Sequence, residues 1–302
     1  MQTQGFGIDG LLARYPFLRK EIIGLSVMGR EIPVLILGEG AAPCTAQGAE
    51  VFFSASHHAN ESITTPLVLL FLENYCRAIA ENENIGGQPA RELFQRTRLH
   101  IAPLVNPDGV ALVNGRIPQN DSYFMQARAL AAQYPTIPFP EGWKANIRGV
   151  DLNLQYSARW EEARSIKYAQ GFTRPGPRDF VGPAPLSEPE SRALADYTLA
   201  HNFRLILALH TQGEVIYWRY QDCETPRAAC IAAAMQNASG YLAEETPISS
   251  GNAGYKDWFI QDFRRPGFTV EAGIGENPLP LCDLAAIYAH CEPIFVLALA
   301  KA

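Results

Sequence analysis

The chain has 302 residues, 47% hydrophobic and 19% charged, a composition that supports a packed core and excludes disorder. Its formal net charge is −6 and its isoelectric point about 5.6, which argues against the basic footprint of a general nucleic-acid binder. No run approaches the ~18 consecutive apolar residues of a membrane span. The opening MQTQGFGIDGLLARYPFLRK has no basic segment followed by an apolar one, so no signal peptide is read there. The expectation is a cytoplasmic protein with no nucleic-acid or membrane partner, although a secreted chain trimmed of its leader reads the same. Six cysteines are scattered without a C-x-x-C pair, as expected for reduced, packing thiols. The sequence does not fix the oligomeric state.

Residues 20–37 read as a hairpin around Met28-Gly29-Arg30. Glu50–Ser56 is a buried strand, and the apolar stretch from Ile63 is a helix with Pro66 near its start. Leu99–Val105 is a strand halted by a turn at Asn106-Pro107-Asp108-Gly109. Residues 114–186, rich in Pro, Gly and aromatics, show little periodicity and read as a long functional loop. Ser187-Glu188-Pro189-Glu190 has capping-box spacing and opens a helix to about Asn202. Strands follow at Phe203–His210 and Glu214–Tyr220, then a helix over Thr225–Leu242, a strand at Gly267–Ala272 and a closing helix over Leu281–Ala302. Strands alternating with helices predict an α/β fold: one domain over residues 1–302, with a mixed twisted sheet flanked by helices.

Polar residues cluster where these strands end, which is where open α/β sheets bind ligands. One strand runs into His57-His58-Ala59-Asn60-Glu61, another into His210-Thr211-Gln212, another into Glu271. His58 and Glu61, three apart, are a weak signal alone. With His210 at the tip of an apolar strand they make two imidazoles and a carboxylate, the ligand set of a catalytic zinc site with one open position. Glu271 is then free to act as general base on a bound water. His57 competes with His58, but its spacing to Glu61 is four, and a packing role is expected. His100, His201 and His290 have no metal-spaced partner.

Together with Asn106-Pro107-Asp108-Gly109, Gly149-Val150-Asp151-Leu152-Asn153 and Asp257-Trp258, these residues resemble the zinc metallocarboxypeptidases, the carboxypeptidase A clan. Within it, HHANESITTP, WKANIRGVDLN, LHTQGEVIYW and PGFTVEAGIGENPLP look most like the bacterial γ-D-glutamyl-(L)-meso-diaminopimelate peptidases, which cleave stem peptides of the cell wall. The resemblance implies about one Zn²⁺ per chain on His58, Glu61 and His210, with Glu271 moving the proton. It also implies a cation for the oxyanion shortly before Gly149. Arg148, whose fork suits an anion, is favoured as an oxyanion or substrate-carboxylate ligand, with Lys144 as its rival. A non-proline cis peptide is implied at Thr211–Gln212.

Two departures bear on substrate. Where ordinary carboxypeptidases carry Asn-Arg, whose Arg grips the peptide's C-terminal carboxylate, this chain has Asn153-Leu154. The family's mobile Tyr position reads Ser249, with Tyr255 nearby but displaced. Asn153 remains a candidate substrate-binding residue. Lys256, at the position that forms the base of the side-chain pocket, is expected to favour an anionic group such as the second carboxylate of diaminopimelate. The leading expectation is zinc-dependent hydrolysis of γ-D-glutamyl–diaminopimelate bonds in murein-derived peptides. The alternatives are a conventional metallocarboxypeptidase, an N-acyl amino acid deacylase and a non-catalytic zinc-binding pseudo-peptidase.

Overall fold

Eight strands lie side by side in one mixed sheet, in the order β1-β2-β4-β3-β5-β8-β6-β7. They are β1 (Arg19–Leu25), β2 (Glu31–Leu37), β3 (Ala49–Ala55), β4 (Thr97–Ala102), β5 (Phe203–His210), β6 (Val215–Arg219), β7 (Leu242–Glu245) and β8 (Gly267–Glu271). The computed structural model describes residues 7–39, 41–42, 46–223, 225–247 and 250–302. The four central strands, β4, β3, β5 and β8, are mutually parallel. β2 and β6 flank them antiparallel.

The central strands are buried on both faces, as their continuous apolar runs demand. Leu205, Leu207 and Leu209 of β5 enter a core shared with α1 (Ile8–Arg14), α2 (Thr64–Glu81), α3 (Ala90–Arg96), α8 (Ala228–Ser239) and α10 (Leu284–Lys301). Ile206 and Ala208 alternate into a second core under α7 (Pro189–Leu199) and α9 (Tyr255–Phe263). The mixed sheet flanked by helices is as expected. α10 belongs to a stretch, Leu281–Lys301, long and apolar enough to cross a membrane by composition alone. Its Ile294, Phe295 and Leu299 pack into the first core.

Among the local expectations that fail, two do so because side-chain hydrogen bonds go elsewhere and one because the chain packs small cores of its own. Asn106-Pro107-Asp108-Gly109 is not a turn but the start of α4 (Pro107–Val113). The Asn106 side chain accepts from Gly109 N at 3.0 Å and Pro107 takes the first helical position. A Cβ on Gly109 would meet Ala145 O at 2.7 Å, so only glycine admits the neighbouring chain there. Ser187 does not close a capping box: its hydroxyl donates to Gln155 Oε1 at 3.0 Å, and Glu190 turns to the hairpin instead. The segment 114–186 is not one irregular loop. It holds α5 (Ser122–Ala131) and α6 (Trp160–Ala169) over small cores around Trp143 and Trp160.

The tip of the β1–β2 hairpin docks onto a buried polar cluster. Val27 N donates to Glu190 Oε1 at 3.1 Å, and Met28 N donates to Asp108 Oδ2 at 2.8 Å. Asn146 Nδ2 donates to Glu188 Oε2 at 2.8 Å and to Glu190 Oε2 at 3.3 Å. Burial pushes the Glu190 carboxyl up to about 7, against the hydrogen bonds from Val27 and Asn146 and with help from Asp108. A carboxyl that binds its proton more tightly folded than unfolded contributes stability that is fully present below the unfolded pKa. That contribution is lost as pH rises through the folded one. Glu190→Gln has no such titration. In urea unfolding at pH 5 and pH 8, the wild type should therefore lose roughly 2–3 kcal/mol relative to the variant across that interval. Parallel pH profiles for the two proteins would contradict it.

Candidate active site

The parallel strands β3, β5 and β8 deliver their carboxyl ends to one place. β3 leads into His57 and His58, β5 ends at His210 and β8 at Glu271, with His210 and Glu271 register partners across the sheet. Glu61 follows in the turn that starts α2.

There His58, Glu61 and His210, all buried, turn one ligand atom each towards a common point. His58 Nδ1 lies 2.8 Å from Glu61 Oε1, and His210 Nδ1 lies 2.9 Å from Glu61 Oε2 and 3.1 Å from His58 Nδ1. The far nitrogen of His58, Nε2, lies 3.1 Å from Asp151 Oδ1. That contact makes Nε2 the protonated nitrogen and leaves the Nδ1 lone pair facing the cluster. Two imidazole nitrogens aimed at each other beside a carboxylate fit a divalent cation, and the nitrogen-rich donor set suits Zn²⁺ over Mg²⁺ or Ca²⁺.

The charges are strongly coupled. Burial opposes the Glu61 charge, but His58, Lys144 and His210 hold its carboxyl well below the usual range. Burial likewise opposes the imidazolium of His58, yet Glu61 and Asp151 raise it to about 9, a positive charge that a cation at this point would replace. Glu271 is raised chiefly by burial, with nearby Glu61 adding to the effect. The peptide bond Thr211–Gln212 is cis, as the resemblance implied, and Thr211 N donates to Glu61 Oε2 at 3.2 Å.

A cavity of about 200 Å³ opens over these groups, and Lys144, Asn153, Lys256 and Glu271 line it. Of the two cations weighed for the oxyanion, Lys144 reaches the site, with Nζ 3.0 Å from Glu61 Oε1. Arg148 does not line the cavity. It is half-exposed, 3.6 Å from Glu188, because Gly149 turns the chain away at φ +79°. A Cβ at Gly149 would stand 2.7 Å from Gly176 N. Asn153 Oδ1 accepts from Tyr255 N at 3.0 Å, tying the cavity wall to α9.

Lys256 departs from expectation. Its side chain is 3% exposed, so it is no surface lysine. Yet its ammonium is spent inside the protein: it donates to Arg219 O at 3.0 Å and Thr246 Oγ1 at 2.6 Å and lies 2.7 Å from Asp257 Oδ1. Tyr255 is fully buried, 2.8 Å from Thr198 Oγ1, and belongs to the core. Ser249 lies outside the described residues. His57 is a packing residue, its ring stacked on His210 and Tyr255, with Nε2 3.2 Å from Tyr156 Oη. His100, His201 and His290 each bond to Tyr197 or Ser239, away from the cluster.

Several cavity residues escape sequence reasoning. Tyr217 on β6 lies beside Glu271, and Lys167, Arg178 and Asp179 arrive from the segment read as a loop. Residues 176–180 of that segment are strapped to its residues 144–151 by Lys144 N to Pro177 O (2.7 Å), Gly176 N to Gly149 O (3.0 Å) and Asp151 N to Phe180 O (2.9 Å). No spacing in the sequence announces this ladder.

A family model for zinc carboxypeptidases matches residues 7–277. The chain is 43% identical over 294 residues to gamma-D-glutamyl-L-diamino acid endopeptidase 1 of Lysinibacillus sphaericus, covering 97% of this chain and 70% of that protein. It is 40% identical over 283 residues to YqgT of Bacillus subtilis, an uncharacterized protein, covering 93% and 72%. Among solved structures it resembles thrombin activatable fibrinolysis inhibitor, with a TM-score of 0.70 at 18% identity over 97% of this chain and 71% of that one. It also resembles the murein-tripeptide amidase of Escherichia coli O157, with a TM-score of 0.56 at 18% identity over 99% and 96%. With the matched model spanning most of its length and His58, Glu61 and His210 converging under Glu271, the chain is a metallopeptidase that belongs to the zinc carboxypeptidase family.

Proposed function

We propose that the protein hydrolyses the bond between γ-D-glutamate and meso-diaminopimelate in murein-derived peptides. The hydrolytic part rests on one observation, the meeting of His58, Glu61 and His210 in the lining of a cavity that also holds Glu271 and Lys144. The substrate part is supported by the endopeptidase 43% identical to the chain. Leu154, which offers no guanidinium for a peptide's C-terminal carboxylate, disfavours the conventional carboxypeptidase.

His58, Glu61 and His210 would hold the zinc ion, which supplies Lewis acidity towards the scissile carbonyl and acidifies a water. Glu271 takes the proton of the attacking water and returns it to the leaving amine, a role its raised affinity for protons suits. Lys144 faces the developing oxyanion. Burial opposes its charge, but Glu61 raises its pKa and keeps it an ammonium. Asp151 fixes the ring of His58.

Purified protein should carry about one zinc per chain. It should cleave L-Ala-γ-D-Glu-meso-diaminopimelate in preference to a hippuryl peptide or an N-acyl amino acid, and lose that activity to a chelator. Turnover of the hippuryl peptide alone would overturn the substrate assignment. Glu271→Gln should keep its zinc and lose ~10²–10⁴-fold in turnover. Near-normal turnover with zinc retained removes Glu271 as the base. Lys144→Gln should lower kcat by ~10²-fold or more with a smaller change in KM. A loss confined to KM would assign Lys144 to binding instead.

A further inference from the structure

The cations of the cavity differ in how far their donors are committed. Lys256 is spent on Arg219 O, Thr246 and Asp257. Lys144 stands against Glu61. Lys167 lies 2.6 Å from Asp179 Oδ1. Arg178 gives only its Nε to the other oxygen of that carboxylate, at 2.6 Å from Asp179 Oδ2. The four N–H groups on its two terminal nitrogens have no hydrogen-bond partner among the described residues.

The charge pairing leaves the same residue over. Of the carboxylates in the cavity, Glu61 faces His58, His210 and Lys144, Asp151 faces His58, Asp257 faces Lys256, and Glu271 is reserved for the proton. Asp179 alone must answer both Lys167 and Arg178. A site with two cations on one carboxylate attracts a second anion, and a guanidinium with both terminal nitrogens free presents it with a bidentate fork. The fork is also placed. Pro177 O accepts from Lys144 N and Ala145 N, and Asp179 N donates to Asp151 Oδ2 at 3.2 Å, so the backbone on both sides of Arg178 is pinned to the segment carrying Lys144 and Asp151. The side chain, 44% exposed, is open to an incoming ligand.

We propose that Arg178, propped by Asp179, anchors a carboxylate of the substrate, a specificity contact that neither Leu154 nor Lys256 is able to make. The inference rests on the murein-peptide reading above. A γ-linked D-glutamate leaves its α-carboxylate free and diaminopimelate brings two more, so the shared chemistry is a carboxylate beside the scissile bond.

The test compares wild type, Arg178→Gln and Arg178→Lys, all zinc-loaded, on four peptides. These are L-Ala-γ-D-Glu-meso-diaminopimelate, its D-isoglutamine analogue, its lysine analogue, and the peptide amidated at the α-carboxyl of diaminopimelate. On the parent peptide Arg178→Gln should lose about 10- to 150-fold in kcat/KM, mainly through KM, with zinc content unchanged. Arg178→Lys, which keeps the charge but not the fork, should fall between. On the analogue lacking the anchored carboxylate, wild type and Arg178→Gln should agree within about twofold, and that analogue names the carboxylate. Equal losses on all four peptides, or no loss on any, overturn the proposal. Calorimetric titration with free meso-diaminopimelate and with D-glutamate provides a readout independent of turnover. If wild type binds either more tightly than Arg178→Gln while cleaving none of the peptides, the anchor stands and the proposed reaction falls. If neither ligand shows Arg178-dependent binding and no peptide is cleaved, both fall.

Discussion

A carboxylate with 1% of its surface left in water is stable only when cations and donors face both of its oxygens, and Glu61 is held in that way. His58 and Lys144 meet one oxygen; His210 and the Thr211 N–H meet the other. Those partners come from the end of β3, the segment before Gly149 and the end of β5. The neutralisation of one buried charge thus requires the parallel strands to stop level with one another. It also requires the chain between them to return over the sheet with Lys144 facing inward. The two cores that bury β5 from both sides hold His210 on a rigid strand, so the convergence does not depend on mobile loops.

The parts legible from sequence are those governed by a single physical rule. Phe203–His210 reads correctly because eight consecutive residues with no helix punctuation fit only a strand covered on both faces. His58, Glu61 and His210 are legible because polar residues at the tips of apolar strands have few structural reasons to be there. The failures arise where two local rules compete. Asn-Pro-Asp-Gly satisfies the chemistry of a turn and of a helix start equally, and the bonds from Asn106 Nδ2 to His57 O and Ala145 O favour the helix that lets the side chain serve all three. Ser187 had the right spacing for a cap, but Gln155, remote in sequence, claimed its hydroxyl.

Side-chain roles were harder to read than elements, because they depend on which backbone turns and on who else is present. As letters, Arg148 is favoured over Lys144 for its fork; the left-handed turn at Gly149 leaves only Lys144 facing Glu61. Lys256 is where the sequence places it, yet Asp257 and Thr246 have already taken its ammonium. Arg178 is invisible for the converse reason. It sits 34 positions beyond Lys144 in a stretch without periodicity, and becomes its neighbour only through backbone bonds between two segments that no motif links.

That ladder between residues 144–151 and 176–180 has a consequence for how such an enzyme diverges. Register in a backbone ladder is all-or-none: inserting or deleting one residue in either segment displaces Lys144, Asp151 and Arg178 together. Descendants of this chain that acquire new substrates are therefore confined to exchanging side chains on the two segments, or to altering the length of the exposed stretch after α6, residues 170–175. That stretch is mostly exposed and carries no residue that lines the cavity. The segment with the least regular appearance thus holds both a length-constrained ladder and, beyond Lys167, a stretch where insertions leave the cavity residues in place.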